Sequence, residues 1–359
     1  MLVSRIWLTD FRNYTTAETA LAPGLTVVVG GNGEGKTSLL EAVGYLATLS
    51  SFRGSPTDAL VRDGCERAIV RAEGMRGPRD LLLEAEVPLT GGARVSVNRQ
   101  RLRRSRELLG ALRVTVFSPD DLVLVKGGPG ERRRYLDDAL VALHPKNDAL
   151  RAELDRVLRQ RNTLLRQLGG RLTAEGAATL DVWDAKLVEA GEALAGAREA
   201  LVETLEPVIA RAYADVAGAA MAVWAHYEAP WREKGLAAAL ALARADELRR
   251  GISLVGPQRD DLVLQLEGRP ARTHASQGEQ RAVALALRLA AHQVITAAVG
   301  EPPVLLLDDV FSELDPVRSE ALVTHLPPGQ ALLTTAHALP PGAPPDLVLR
   351  VSNGQLGAA

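Results

Sequence analysis

The chain has 359 residues, an apolar share of 47%, a charged share of 24% and a formal net charge of −2. This length suits a large α/β domain joined to a smaller one, and the composition is globular rather than disordered or fibrous. The small net charge excludes a uniformly basic coat, so any nucleic-acid contact must come from a local patch or from a surface formed on assembly.

One cysteine, Cys65, cannot form an internal disulfide, which favours a reducing compartment. The first ten residues contain Arg5 and Asp10, and no apolar run reaches the length of a signal peptide or a membrane span. We therefore expect a cytoplasmic protein.

Short strands and turns are expected from Met1 to about Phe117. The β-branched run Leu25 to Val29 predicts a strand that leads into a glycine-rich loop, and Thr37 to Leu49 predicts the helix after it. A small antiparallel sheet is expected next, with strands at Ala68 to Ala72, Leu81 to Ala85 and Ala93 to Val97.

Helical periodicity dominates from Glu131 to Gly251. Alternating steps of three and four residues predict one apolar helix stripe, made of Leu180, Trp183, Leu187, Ala190, Leu194, Ala197 and Leu201. A partner stripe lies upstream, made of Leu150, Leu154, Val157, Leu164 and Leu168. Gly169 and Gly170 separate the two, so the pattern predicts a short antiparallel helical hairpin rather than a long coiled coil.

The α/β pattern returns after Gly251. The expected elements are a strand at Asp261 to Leu266, a helix at Gln280 to Thr296, a strand at Val304 to Asp309, a helix near Pro316 to Leu326 and a strand at Ala331 to Thr335. The predicted fold is therefore an α/β head formed by residues 1–125 and 251–359, with a helical arm domain, residues 126–250, inserted between them.

A phosphate-binding loop is predicted between the first of these strands and its helix. The pattern G-x-x-x-x-G-K-[ST] is met by Gly30, Gly31, Asn32, Gly33, Glu34, Gly35, Lys36 and Thr37. Backbone amides of such a loop turn onto phosphate oxygens at a helix N-terminus. Lys36 is expected to reach the β- and γ-phosphates and Thr37 to ligate Mg²⁺, which predicts ATP and Mg²⁺ as cofactors.

Two acidic residues end the buried strand that starts at Val304. Ligands of open α/β sheets bind at the carboxyl ends of strands, so Asp308 is expected to hold the magnesium ion directly or through water. Asp309 is the candidate general base that polarises or orients the attacking water. Without the phosphate loop, both aspartates could simply cap the strand.

The string Ser276, Gln277, Gly278, Glu279, Gln280 stands at a predicted helix start. Alone it would be a helix cap in most proteins. Between the two nucleotide motifs it resembles the signature motif of ABC-type ATPases, in which the serine and glycine contact the γ-phosphate held by a second subunit. The resemblance also implies a D-loop from Ser312 to Asp315 and a switch loop at Thr334, Thr335 and His337, with Asp315, Thr335 and His337 as the switch residues, although His337 could equally be a turn histidine.

Within that superfamily the chain resembles the chromosome-maintenance (SMC) branch, and most of all the bacterial RecF family of recombination mediators. The resembling segments span the chain: Asp10 to Tyr14, Ser51 to Arg53, Phe117 to Leu122, Gly127 to Asp137, Gly256 to Asp261, Ser276 to Arg281 and Leu305 to Asp315. Two features depart from the broad ABC pattern. Asp309 replaces the usual glutamate, which would suit slow hydrolysis, and Phe117 to Asp120 stand where a glutamine-bearing loop is expected.

The resemblance implies a function in recombinational DNA repair, replication and the SOS response to DNA damage. One loop and one signature motif per chain imply a head-to-tail homodimer with two ATP molecules between the chains, and Arg12 and Asn13 near the phosphates. ATP-driven dimerisation would clamp DNA and, with RecO and RecR type partners, promote RecA loading at single-strand gaps. A weak DNA-dependent ATPase activity, with Lys36, Asp309 and Ser276 as catalytic residues, would reset the clamp.

Two arginine-rich clusters are candidate contacts for a sequence-independent DNA surface. The first is Arg99, Arg101, Arg103, Arg104 and Arg106, and the second is Lys126, Arg132, Arg133 and Arg134. Either cluster could also be a solvated face. Arg53 resembles the arginine-loop residue of SMC heads, which can touch nucleotide or DNA, and a two-fold axis would double each patch.

Two other functions stay open on the residues alone. A motor or transporter subunit is disfavoured by the inserted arm and by the missing glutamine. A structural chromosome-maintenance head is disfavoured because the arm is too short to form a rod.

Overall fold

The computed structural model describes residues 1–218, 221–313, 316–336 and 344–358. The chain forms two compact units. The head unit comprises Met1–Leu122, Arg211–Met221 and Ser276–Ala359, and the insert unit comprises Val123–Ala210 and Ala222–Ala275. The expected return to the head at residue 251 differs from this division, in which residues 251–275 belong to the insert unit.

Strands occur in both units. In chain order they are β1 (Leu2–Phe11), β2 (Tyr14–Ala20), β3 (Leu25–Val29), β4 (Arg67–Arg76), β5 (Arg79–Pro88), β6 (Arg94–Val97), β7 (Gln100–Arg101), β8 (Val114–Phe117), β9 (Val223–Glu228), β10 (Asp261–Leu266), β11 (Arg269–Pro270), β12 (Val304–Asp308), β13 (Ala331–Thr335), β14 (Leu347–Ser352) and β15 (Gln355–Ala358). The α-helices are α1 (Lys36–Thr48), α2 (Val123–Lys126), α3 (Pro129–Leu143), α4 (Asp148–Leu168), α5 (Ala174–Ala217), α6 (Leu236–Arg250), α7 (Ala271–His274), α8 (Gln277–Val299) and α9 (Pro316–Thr324).

A largely parallel sheet positions the acidic residues of the head unit. Its strand order is β15-β14-β3-β13-β12-β8, with only the edge strand β15 antiparallel to its neighbour. Every residue of β12 and β13 is buried, as expected for central strands covered on both faces. The carboxyl ends of β3, β12 and β13 therefore meet at one edge, where the phosphate loop follows β3 and Asp308 ends β12.

An antiparallel sheet of order β2-β1-β4-β5-β6-β7 forms the second layer of the head unit. Helix α1 contacts strands of both sheets and is buried along most of its length, so it forms the centre of the hydrophobic core. The predicted strands between Ala68 and Val97 are confirmed as β4, β5 and β6, and the first two are longer than expected.

Helix α8 is apolar and mostly buried. By length and composition it could cross a membrane, but 67% of its apolar window is buried in the fold. A core helix of a globular unit has the same properties.

Helices α4, α5 and α6 pack together in the insert unit, where Leu165, Leu180 and Leu248 form a small apolar cluster. The predicted hairpin of α4 and α5 is confirmed, and α6 adds a third helix. A fully buried Arg161 joins all three, since it donates to Asp184 at 2.7 Å and to Glu247 at 2.6 Å.

The insert unit also contains a three-stranded antiparallel sheet of order β11-β10-β9. The helical periodicity predicted from Glu131 to Gly251 fails at β9, where Val223 and Ala225 are buried and Trp224 and His226 are exposed. This period of two fits a half-buried strand, and pairing with β10 satisfies one edge of its backbone.

Candidate nucleotide-binding site

The loop between β3 and α1 is braced by residues that follow β1. Asn13 donates from Nδ2 to the carbonyl oxygen of Glu34 at 2.6 Å, and the Tyr14 hydroxyl donates to the carbonyl oxygen of Gly35 at 2.9 Å. Burial raises the pKa of the Tyr14 hydroxyl, which keeps this group a neutral donor. Both bonds engage loop carbonyl oxygens, the groups that would repel a phosphate.

Two loop positions have no room for a side chain. A Cβ atom on Gly30 would lie 2.5 Å from the carbonyl oxygen of Val351. Gly35 has a φ of 121°, and a Cβ atom there would lie 2.6 Å from Nδ2 of Asn13. The loop therefore keeps its shape only with glycine at these two positions.

Lys36 begins α1 and folds back onto the loop. Its Nζ donates to the carbonyl oxygens of Gly30 at 2.9 Å and Gly31 at 2.8 Å. The ammonium group thus lies beside the N-terminus of α1, where the helix dipole adds further positive potential.

Thr37 and Asp308 meet although 271 positions separate them. The Thr37 hydroxyl donates to Oδ1 of Asp308 at 2.7 Å, and the Thr334 hydroxyl donates to the same oxygen at 2.8 Å. Burial raises the pKa of Asp308, while the two hydroxyl groups and the positive charge of Arg53 act in the opposite direction. The predicted metal-binding pair is therefore brought together at the end of β12.

Asp309 has a left-handed backbone with a φ of 47°. Its amide donates to the Thr334 hydroxyl oxygen at 2.9 Å. Its Oδ1 is buried without a hydrogen-bond partner among the residues that the structure describes. A buried carboxylate oxygen without a donor is expected to accept a hydrogen bond from a ligand or a water molecule.

These groups fit Mg²⁺ and a nucleoside triphosphate. A threonine hydroxyl and an aspartate carboxylate are the hard oxygen ligands that Mg²⁺ prefers, and they already share a contact. Lys36, the helix N-terminus and the glycine loop supply positive charge and amide donors for phosphate. Asp309 adds the unsatisfied acceptor described above.

The signature motif begins α8 as a helix cap. The Ser276 hydroxyl accepts from the amide of Glu279 at 3.3 Å, and the Glu279 carboxylate accepts from the amide of Ser276 at 2.7 Å. The string is therefore a helix cap that also leaves its serine exposed to solvent. The cap and the signature motif are thus compatible interpretations of the same residues.

Gly278 lies against Arg318 of α9. A Cβ atom on Gly278 would lie 2.3 Å from Nη1 of Arg318, and the Arg318 charge helps to lower the pKa of Glu279. This arginine is a further charged residue at the motif, and no sequence pattern indicates it because its contact with Gly278 joins two separate helices.

Two side-chain contacts anchor the rest of α8. Arg288 donates to Oδ1 of Asp121 from Nε at 3.0 Å and from Nη2 at 2.6 Å. Nδ1 of His292 lies 3.0 Å from the Thr115 hydroxyl, and burial lowers the pKa of His292 to about 4. The signature helix is thus attached to β8 and to the loop after it.

Arg12 has a different partner from the one predicted. Its guanidinium donates to both carboxylate oxygens of Glu41, each at 2.7 Å, and also to Ser55 Oγ and the Ala59 carbonyl. These bonds use four of its five N–H donors and hold Arg12, which follows β1, against Glu41 of α1. Asn13 does lie against the loop.

The first basic cluster lies on the surface of the head unit. All five arginines are exposed: Arg99, Arg101, Arg103, Arg104 and Arg106. Arg53 is also exposed, and its charge acts on Asp308. Their exposure agrees with the predicted DNA surface.

The second basic cluster belongs to the insert unit and is less available than predicted. Arg132 is buried and donates to both oxygens of Asp261, at 2.7 and 2.8 Å, so it is removed from the candidate DNA contacts. Arg133 donates to the carbonyl oxygen of Asp260 at 2.7 Å. Lys126 and Arg134 are exposed, although Arg134 pairs with Glu131.

The predicted switch residues fall on different parts of the chain. Asp315 and His337 lie outside the described residues. Thr335 is buried, and it is the neighbouring Thr334 that bonds to Asp308 and Asp309. The parallel register pairs Asp308 with Thr334, which explains this choice between two adjacent threonines.

The phosphate loop, the acidic strand end and the signature helix, carried by a two-layer head with a helical insertion, define an ATPase head of the SMC type. A family model described as "RecF/RecN/SMC N terminal domain" matches residues 2–332. The chain belongs to the RecF family of DNA replication and repair proteins. The predicted family and fold class are thereby confirmed.

Known proteins resemble the chain over nearly its whole length. The DNA replication and repair protein RecF of Frankia alni is 46% identical over 353 residues, which cover 94% of this chain and 93% of that protein. The solved structure of the recombination mediator protein RecF with ATP, from the RecFOR pathway, aligns with a TM-score of 0.91 at 28% identity, covering 100% of this chain and 97% of that one. The Smc head domain of Pyrococcus furiosus shares the fold, with a TM-score of 0.58 at 17% identity over 100% of this chain and 96% of that one.

Proposed function

We propose that this protein is a cytoplasmic, ATP-dependent DNA-binding protein of recombinational repair and replication. ATP binding would close two chains over DNA, and slow hydrolysis would release them. With RecO and RecR type partners, the clamp would promote loading of a RecA type recombinase at single-strand gaps. The contact between Thr37 and Asp308 carries this proposal, because it joins the phosphate loop to the acidic strand end in one ATP site.

Residues of one chain would bind the triphosphate. Lys36 would exchange its two carbonyl acceptors for β- and γ-phosphate oxygens, which carry full negative charge and are stronger partners. Thr37 and Asp308 would hold Mg²⁺, which neutralises phosphate charge when bound. Asp309 would use its unsatisfied Oδ1 to orient the attacking water.

Hydrolysis is proposed to be weak and stimulated by DNA. Asp309 is one methylene shorter than the glutamate usual at this position, so its carboxylate would lie farther from the water. Slow turnover suits a switch whose ATP-bound state has to persist on DNA.

The second half of each site would come from another chain. Ser276 is exposed, and the bonds described for it lie within its own helix cap, so its hydroxyl is accessible to a γ-phosphate held by a partner. Two chains related by a two-fold axis would form two equivalent sites.

The DNA surface would be built from phosphate contacts. The exposed arginines of the first cluster offer guanidinium donors without an evident aromatic platform, which favours sequence-independent binding to the backbone. Arg53 and Lys126 are further exposed candidates, and Arg134 is a weaker one because it pairs with Glu131.

Sedimentation and duplex-DNA retention, each measured with and without ATP, test the proposal. Wild-type protein should dimerise and retain DNA only with ATP, and Ser276→Arg should bind ATP but remain monomeric. DNA retention that is strong without ATP and unaffected by Ser276→Arg would contradict the clamp. Single-stranded and gapped DNA in parallel reactions would identify the preferred substrate.

A further inference from the structure

Among the described residues, three hairpins close with the same two-residue turn. The turn residues are Asn98 and Arg99 between β6 and β7, Glu267 and Gly268 between β10 and β11, and Asn353 and Gly354 between β14 and β15. Their φ angles are 49° and 66°, 50° and 71°, and 49° and 70°, in that order. Two consecutive left-handed residues form a type I′ turn, which favours glycine after the first residue. Two of these turns have glycine at the second position, and the third has arginine.

Arg99 destabilises the turn that it occupies. A left-handed backbone brings the Cβ atom close to the following carbonyl oxygen, and glycine avoids this contact because it has no Cβ atom. Asn98 at the first position is ordinary, since asparagine tolerates this backbone better than most residues. An unfavourable backbone conformation that the fold retains often marks a functional side chain. The arginine at a glycine position therefore points to a function of its guanidinium group.

The turn holds Arg99 on a rigid backbone. The Asn98 amide donates to the carbonyl oxygen of Leu82 at 2.8 Å, and its Oδ1 accepts from the amide of the same residue at 2.8 Å. Its Nδ2 donates to the carbonyl oxygen of Asp80 at 3.3 Å, so three bonds join the turn to β5. Arg99 is exposed at this fixed point, and a ligand would have to order only its side chain.

The charge of this hairpin differs from that of the sheet to which it belongs. Four arginines of the sheet form ion pairs with glutamates: Arg5 with Glu18, Arg67 and Arg94 with Glu86, and Arg71 with Glu84. Within the described ranges of the chain, no carboxylate forms an ion pair with Arg99, Arg101, Arg103 or Arg104. Positive charge without acidic neighbours is thus concentrated at the β7 edge of the sheet, where it would attract a polyanion.

We propose that Arg99 binds a phosphate group of duplex DNA, and that arginine occupies this glycine position for that contact although it lowers the stability of the fold. The inference rests on the proposed function, and it deepens that function by naming one side chain that contacts DNA. Duplex DNA is favoured over an acidic protein segment because closely spaced, unpaired guanidinium groups match the regular charges of a phosphate backbone.

Arg99→Gly should change stability and DNA binding in opposite directions. Relief of the left-handed side chain should raise the melting temperature by about 2 °C. Loss of one charge-assisted contact should weaken duplex-DNA binding in the presence of ATP about tenfold. The slope of log affinity against log salt concentration should become shallower by about 0.9 for each chain in the complex. Thermal unfolding and fluorescence-anisotropy titrations across a salt series measure these three quantities.

Three further variants separate the causes. Arg99→Lys keeps the charge and should keep the salt slope. Arg94→Ala removes an exposed arginine of the same hairpin that already pairs with Glu86, so the DNA affinity should change less than twofold. Gly268→Arg places arginine at the same position of the β10–β11 turn, where a Cβ atom would meet nothing within 4 Å. It should lower the melting temperature by about 2 °C without strengthening DNA binding.

The outcomes distinguish this inference from the proposed function. Wild-type protein that binds no DNA with ATP would overturn both. If wild type binds DNA and Arg99→Gly binds it equally well, only the inference is wrong, and the hairpin is left for an acidic protein segment. Equal losses in Arg99→Gly and Arg94→Ala would reduce Arg99 to general charge. A lower melting temperature in Arg99→Gly would show that arginine does not destabilise this turn, which contradicts the exchange of stability for binding.

Discussion

The phosphate loop and the signature motif differ in how their functional side chains are held. Lys36 and Thr37 bond to other elements of the site, to the loop carbonyls and to the end of β12. Ser276 is exposed, and its described bonds stay within its own helix cap. The first motif is thus assembled in one chain, whereas the second presents its serine outward, as a surface that meets a ligand carried by another molecule.

The largest effect is expected at Asp309, whose Oδ1 lacks a hydrogen-bond partner among the described residues of the phosphate-loop site. Asp309→Asn keeps the shape but removes the carboxylate that would orient water, so ATP hydrolysis should fall about a hundredfold, as for loss of a general base. Steady-state phosphate release measures this rate. ATP affinity should persist, and hydrolysis at the wild-type rate would show that the role given to Asp309 is wrong.

Lys36→Ala removes the ammonium group of the phosphate-loop site and should weaken ATP binding. Hydrogen bonds to charged groups contribute about 1.5–3 kcal/mol, so the affinity for ATP should fall about thirtyfold. Equilibrium titration with a fluorescent ATP analogue measures the loss. The exposed Lys234 supplies a matched control, since Lys234→Ala removes the same charge far along the sequence. Equal losses in the two variants would mean that Lys36 contributes only general charge.

Gly278→Ala perturbs the signature motif, which presents Ser276 to solvent. The added methyl group would lie 2.3 Å from Nη1 of Arg318, so this guanidinium must move away from the motif. Because this guanidinium is the far end of a flexible side chain, the fold of the monomer should persist, but moving the charge from the motif should weaken ATP-dependent dimerisation about tenfold, or about 1.4 kcal/mol, while the monomer still binds ATP. Sedimentation across a concentration series measures the dimer affinity.

Two further variants separate the causes in that experiment. Gly196→Ala adds the same methyl group in open space on a helix and should leave dimerisation unchanged. Gly278→Ala/Arg318→Ala removes the clash. If it restores nothing, the glycine serves the approach of the partner's phosphate instead of the fit to Arg318.

The ligand-binding residues of the phosphate-loop site could be predicted from the sequence more completely than the residues that hold them in place. The phosphate loop, its flanking strand and helix, and the end of β12 follow from local patterns of glycine, charge and β-branched residues. Thr334 could not be chosen over Thr335, because only the register of β12 and β13 decides which hydroxyl reaches Asp308.

Charged residues were the main difficulty, because a sequence does not show the partner of an arginine. Arg12 pairs with Glu41 across 29 positions and Arg132 pairs with Asp261 across 129, so both looked available for ligands. The strand β9 was missed for a related reason, since its partner β10 lies beyond a whole helix, α6. Long-range pairing thus determined each of these differences.

The smallest effect is expected on the stability of α8, the helix that carries the signature motif, at its buried residue His292. His292 is buried beside Thr115 with a pKa of about 4, below its ordinary value of about 6.5, so the folded state favours the neutral ring. The unfolded chain binds the proton first, and stability is therefore present above about pH 6.5 and is lost as the pH falls toward 4. Between pH 7 and 5.5 this group should remove about 1 kcal/mol from the free energy of unfolding.

Urea unfolding at both pH values measures the change, and His292→Asn, which cannot titrate, should show a pH dependence smaller by that amount. If the variant loses as much stability as the wild type over this range, other groups cause the acid sensitivity, and the anchor of α8 is insensitive to pH.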